Sequence, residues 1–152
     1  MLVVGIDPGA KGSVCLLDST SRQAEFMDLT TPLDQIHDWL KQKAVDVIWI
    51  EDVHSLYGMS AKSNFSFGKA LGAVETVAIL TKGGFQKVAP KVWQKYANVT
   101  AKGKDIKQEV SGICNRLYPA ADVFGKRGGL HDGRSDALMI AHYGMNHHET
   151  DN

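Results

Sequence analysis

The chain has little cysteine. Cys15 and Cys114 are the only two in 152 residues, both in apolar surroundings and without metal-site spacing. That excludes a disulfide-stapled scaffold and a cysteine-ligated zinc site, and it fits a reduced, cytoplasmic protein with buried thiols. Long hydrophobic runs are also missing. None approaches the roughly 20 residues of a membrane span, so no membrane partner is expected. The short apolar run near the start has no charged segment before it and reads as a strand, not as a signal peptide. There is no internal repeat, low-complexity tract or linker-like stretch. The expected organisation is a single domain over residues 1–146, long enough to bury a core, with a flexible tail at 147–152. Neither sign of charge is in excess, with 17 Lys and Arg against 17 Asp and Glu. By itself that argues weakly against a phosphate-rich partner.

The distribution of charge argues the other way. Residues 1–60 carry nine acids and four bases. Between 82 and 107 stand Lys82, Lys87, Lys91, Lys95, Lys102, Lys104 and Lys107 against Asp105 alone. An acidic edge beside a basic strip suits a protein that cuts phosphodiesters. The plainer reading, a solvated lysine face, stands beside it.

The pattern of apolar residues predicts an α/β domain. Three strands are expected at about 2–7, 13–18 and 23–29, separated by the turns Pro8–Gly12 and Asp18–Ser21. Thr31-Pro32 opens a helix with Thr31 as its N-cap, and Leu33, Ile36, Trp39 and Leu40 share one face. The nearly all-apolar strand 46–51 is expected to be buried on both faces. A polar loop at 52–63 leads to a helix over 64–81, on which Gly68 and Gly72 allow close approach of another backbone. Phe85–Val88 is a short strand. Helices follow from Pro90, over 104–117 and over 133–146, with a small strand at Val123-Phe124.

Four acids stand where a metal site needs them. Asp7 ends the apolar run Leu2–Ile6, and Glu51 ends Val45–Ile50. Asp132 and Asp136 lie one turn apart at the start of the last helix. Carboxylates from distant segments meeting at one sheet edge make an all-oxygen site, which suits two Mg²⁺ ions, with Mn²⁺ as a substitute. Each acid has a plainer role: Asp7 caps a Pro-Gly turn, Glu51 ends a solvated strand, and Asp132 is the N-cap of the last helix. His131, five residues before Asp136, shares its face only if the helix starts irregularly. It is a candidate ligand or general base. Tyr57, in a glycine-bearing loop near His54, Phe65 and Phe67, is a candidate for stacking on DNA bases. Lys102, Lys104 and Lys107 are candidates for phosphate contact, and Lys107 for offsetting transition-state charge.

Six segments carry a resemblance: GIDPG at 5–9, IED at 50–52, FGKALGAVE at 67–75, VAPKVWQKY at 88–96, GKDIKQEV at 103–110 and HDGRSDALMIAHY at 131–143. Together and in this order they resemble the RuvC-type Holliday junction resolvases, especially the short forms of bacteriophages. The resemblance implies a ribonuclease H-like fold, with a central mixed β-sheet flanked by helices. It implies a metal-dependent endonuclease in a bacterial or phage-infected cell. It also implies a homodimer, each subunit cutting one of two strands at a four-way DNA junction. Asp7, Glu51 and Asp136 match the metal ligands, and Lys107 matches a lysine near the scissile phosphate. One position departs from the pattern. Many cellular members carry an acid or a histidine three residues before the last Asp, where this chain has Gly133. The fourth functional residue is then Asp132 or His131. The loop after Glu51 lacks an obvious match to the family's wedge phenylalanine.

Rival readings remain at this level. One is a less selective nuclease of the same fold, acting on flaps, forks or hybrids. Another is an ATP-binding domain of the actin–sugar kinase type, disfavoured by length and by the lack of a second phosphate loop. The third is a nucleic-acid binding module with a dead site, disfavoured by four intact acids.

Overall fold

A computed structural model describes residues 1–54, 58–124 and 129–148. The first three strands, β1 (Leu2–Asp7), β2 (Ser13–Asp18) and β3 (Ala24–Asp28), form an antiparallel meander. Helix α1 (Leu33–Lys41) then carries the chain to β4 (Val47–Glu51), which lies parallel to β1. Helix α2 (Ala61–Lys82) leads to β5 (Gln86–Val88), parallel to β4. The sheet order is β3-β2-β1-β4-β5. Three helices complete the chain: α3 (Pro90–Tyr96), α4 (Ile106–Leu117) after a 3₁₀ turn at Gly103–Asp105, and α5 (Asp132–His147). The mixed sheet flanked by helices is the expected fold class.

Strand alternation sorts the side chains to two cores. Val4, Ile6, Val14, Leu16, Ile48 and Ile50 pack with α1 and α2 on one face. Val3, Cys15, Leu17 and Trp49 pack with α3, α4 and α5 on the other. Both sets occur in β4, where Ile48, Trp49 and Ile50 are all buried, as its unbroken apolar run predicts. Helix α5 lies directly on β1. A Cβ at Gly5 would collide with the Ala137 carbonyl and the Ala141 amide, so the close approach requires glycine there.

Several helix starts differ from the sequence expectation, each for a local reason. Thr31 does not cap α1. Pro32 is the extended N-cap residue (φ −54°, ψ 137°), no side chain bonds the first turn, and the helix begins at Leu33. Helix α2 begins three residues early because the Ser60 hydroxyl accepts from the Ser63 amide at 3.1 Å. Asp132 is not the N-cap of α5. His131 is, its Nδ1 accepting from the Arg134 amide at 3.3 Å, which makes Asp132 the first helical residue. The small strand at Val123-Phe124 is reduced to one bridge, Phe124 with Leu130. His147 belongs to the last helix. It ends α5, stacked on Tyr143 with ring centroids 4.0 Å apart. Residues 149–152 and Tyr57 lie outside the described residues. Among those described, no helix is long and apolar enough to cross a membrane.

Candidate active site

One end of the sheet carries a row of polar residues, all on the α5 side. The alternation that sends Val3 and Gly5 toward α5 does the same for Asp7 at the end of β1. Trp49 faces α5, and two residues on so does Glu51. The pairing places Asp7 opposite Ser13 and Ser13 opposite Asp28, and Ile6 beside Ile50 sets Asp7 next to Glu51. The row therefore reads Asp28, Ser13, Asp7, Glu51, at roughly 4.8 Å per strand step. Helix α5 crosses above it, with Asp132 and Asp136 in its first two turns.

Among the described residues, no base forms an ion pair with three of these carboxylates. Asp7 accepts from the Gly9 amide at 3.1 Å. Burial raises its pKa, the Gly9 bond and Lys107 oppose the rise, and Asp132 adds to it. Glu51 accepts from the Trp93 indole at 2.9 Å. Burial and then the Asp7 charge still push it up to about 7. Asp136 is pushed up to about 8 by burial and by Asp7, Glu51 and Asp132, with Lys107 opposing. Mutual repulsion among buried carboxylates is costly for a fold. A cluster that keeps it is suited to binding positive charge.

Lys107 supplies part of that charge from the first turn of α4. Its Nζ lies 2.7 Å from Asp132 Oδ2, and this bond with the Asp132 charge raises the lysine pKa. Lys102 and Lys104 are exposed on the segment leading into α4. That segment is held by Glu109, which accepts from the Thr100 and Ala101 amides at 3.0 and 2.7 Å. Gly103 turns the chain there with φ +60°, a conformation open to glycine.

The chemistry of the donor set fits hard divalent cations: several carboxylate oxygens, no soft ligand, and an excess of negative charge. As the side chains stand, no three His, Cys, Asp or Glu groups among the described residues form a ready cage for one ion. Asp132 in particular points to Lys107. His131 accepts the Arg134 amide at Nδ1, and its Nε2 lies 3.4 Å from Asp28 Oδ1.

The structure thus brings together Asp7, Glu51, Asp132, Asp136 and Lys107. It turns His131 toward Asp28, and it ties neither Lys102 nor Lys104 to the carboxylates. Sequence reasoning missed Asp28, Trp93, Glu109 and Arg134. For Asp28 a signal existed, since it ends β3 on the same edge and the same face as Asp7. Gly133 now has a physical reason. A Cβ there would collide with the Lys11 carbonyl and lie 2.8 Å from Gly12 Cα, so the β1–β2 turn leaves no room for a side chain.

Two solved structures share this architecture. T. thermophilus RuvC in complex with Holliday junction substrate is similar with a TM-score of 0.61 and 19% identity, over 93% of this chain and 90% of that one. The fold is RuvC-like. A second structure, Thermus thermophilus RuvC, aligns with a TM-score of 0.57 and 20% identity, covering 93% and 91%. Neither a protein-family model nor a curated protein matches the chain. At this identity the likeness to RuvC establishes the fold, and the chemistry has to be argued from the residues.

Proposed function

We propose that the chain is a metal-dependent, structure-selective DNA endonuclease that cleaves Holliday junctions and related branched DNA. The observation that carries this reading is the cluster of buried, mutually repelling carboxylates, Asp7 and Glu51 beneath Asp136, at one edge of a RuvC-like sheet. Asp7, Glu51, Asp136 and Asp132 would hold two ions of the Mg²⁺ class, with Mn²⁺ as a substitute. Bound there, such ions supply an activated water and stabilise the leaving oxygen of a phosphodiester.

The chain's own groups do the rest. The Trp93 indole, donating to one Glu51 oxygen, orients that carboxylate. Lys107, beside Asp132 and opposed to the charges of Asp7 and Asp136, is placed to offset charge on the scissile phosphate. Lys102 and Lys104 extend the positive surface along the DNA backbone. Tyr57 is assigned the base-stacking role from its place in the chain. His131 sits at the rim of the site, as a helix cap.

Paired cuts at a four-way junction want two sites related by a twofold axis. We assign the dimer contact to α2. Phe65, Gly68, Gly72 and Ile79 recur at helical spacing. Phe65 and Ile79 are exposed, and a Cβ at either glycine would meet nothing within 4 Å. Light scattering should show a homodimer at micromolar concentration.

The experiment is a cleavage comparison in Mg²⁺ on four-way, three-way, flap and linear duplex DNA. Paired nicks concentrated in the four-way junction support the reading. Equal cutting of flaps and junctions would favour a less selective nuclease of the same fold. No cutting of any would overturn it.

A further inference from the structure

The remaining acid of the edge, Asp28, has no part in the metal chemistry proposed above. Its surroundings are of a different kind. Oδ1 accepts from Arg134 Nε at 2.9 Å and Oδ2 from Arg134 Nη2 at 3.0 Å, a two-pronged guanidinium–carboxylate pair. Ser13 Oγ donates to Oδ1 at 3.2 Å, and His131 Nε2 lies 3.4 Å from the same oxygen. The remaining Arg134 nitrogen, Nη1, donates to the Asp122 carbonyl and carboxylate, both at 3.1 Å. Arg134 and His131 are both largely shielded, with side chains 18% and 22% exposed.

These bonds meet at one place in the fold. They join the end of β3 to the first turn of α5, residues 106 apart in sequence. That turn carries Asp132 and leads directly to Asp136. It is also seated on the β1–β2 turn, where a Cβ at Gly133 would collide with the Lys11 carbonyl. An apolar contact would hold two elements together at least as well as a shielded ion pair. What a bidentate pair adds is a fixed angle. The histidine obeys the same logic. The Arg134 amide can only donate, so Nδ1 accepts and the ring proton belongs on Nε2, the nitrogen 3.4 Å from Asp28 Oδ1.

We infer that Asp28 and Arg134 are positioning residues of the active site. They set the start of α5 through the His131 cap, and so hold Asp132 and Asp136 above Asp7 and Glu51. This rests on the nuclease reading above. His131 then acts through its cap, not as a metal ligand.

The test uses the full chain, with Asp28→Asn and Arg134→Lys. Asn keeps the shape and loses the charge, and Lys keeps the charge and loses the fork. Ile36→Val, a buried position of α1 remote from the site, serves as a stability control. Three readouts are needed: the ¹⁵N imidazole spectrum of His131, Mn²⁺ affinity without DNA by electron paramagnetic resonance, and kcat with junction affinity. The unmodified protein should show the Nε2–H tautomer. Both variants should lose it as the sole form, bind Mn²⁺ about 10–100-fold more weakly and lose kcat by a similar factor. Junction affinity should stay unchanged in both. Ile36→Val should lower the melting temperature alone. Variants that match an active unmodified protein within about twofold in Mn²⁺ affinity and kcat would overturn the positioning role and leave the nuclease reading intact. An unmodified protein that neither binds Mn²⁺ nor cuts junctions would overturn the nuclease reading, and the positioning role with it.

Discussion

Asp28 and Asp136 are both aspartates at the same edge of the molecule, and the fold treats them in opposite ways. The Arg134 guanidinium holds the Asp28 carboxyl below the usual range, with His131 and Ser13 helping. Burial and three neighbouring acids hold Asp136 far above it. One corner is neutralised and has the character of a joint. The other has no ion-paired base for Asp136 among the described residues, and has the character of a binding site. Position at a strand or helix end selects both. The compensating base separates them.

The largest effects should come from the uncompensated side. Asp7→Asn and Asp136→Asn should reduce junction cleavage by orders of magnitude while binding of the junction survives without metal. A single-turnover assay beside a gel-shift titration checks both halves. Near-normal turnover in either variant would erase the contrast with Asp28. The same substitutions should stabilise the protein in a chelator, because they remove repulsion. Asp132→Asn should also cost orders of magnitude, and His131→Ala less. Asn keeps the size of Asp and loses its charge, so that variant tests the carboxylate while leaving the His131 cap in place.

A smaller effect of opposite sign is expected at the joint. Asp28→Asn should lower stability at neutral pH by about 1–3 kcal/mol, because it leaves Arg134 partly shielded and less well paired. At this chain length that corresponds to a fall of roughly 3–10 °C in melting temperature. A rise instead would place Asp28 with the repelling acids.

The pH dependence should show the two classes in one experiment. Glu51 and Asp136 titrate near 7 and 8 in the folded protein, against ordinary values of 4.5 and 3.8. The folded state therefore holds protons that the unfolded chain has released. Their stabilising share is complete at acid pH and is lost as pH rises through about 4.5 toward 8. Asp28 behaves in the reverse sense: its share is present at neutral pH and is lost as pH falls below its ordinary range. Thermal melts in EDTA should fall between pH 5 and 8, and Asp136→Asn should flatten that slope. A flat profile in the unmodified protein would mean that the carboxylates do not repel as described.

The smallest effects belong to the basic segment. Lys102→Ala and Lys104→Ala should each reduce the slope of log affinity against log salt by about one unit per lost phosphate contact. An unchanged slope for both would put these lysines on a solvated face.

Much of this was legible in the sequence, for identifiable reasons. The strands were readable because β1, β2 and β4 are dense in β-branched and apolar residues between clear turns. Asp7 and Glu51 could be placed because each directly ends such a run. Helix starts were harder. Thr31, Ser60, His131 and Asp132 are all plausible caps, and the choice depends on which side chain reaches which amide. The pairing of Asp28 with Arg134 spans 106 residues, and no local pattern announces it. Gly133 reads in sequence as a missing ligand. In three dimensions it is where the β1–β2 turn presses on α5.

The central claim is that the Asp7–Glu51–Asp136 cluster is left uncompensated in order to hold divalent metal. Calorimetric titration of the unmodified protein with Mn²⁺ at pH 7, in two buffers of different ionisation enthalpy, tests it most directly. Carboxyls with pKa near 7 and 8 carry protons at that pH, so metal binding must expel them. Saturable binding with net proton release is expected, both sharply reduced in Asp136→Asn and much less so in Lys102→Ala. Absence of binding, or binding without proton release that survives in Asp136→Asn, would contradict it.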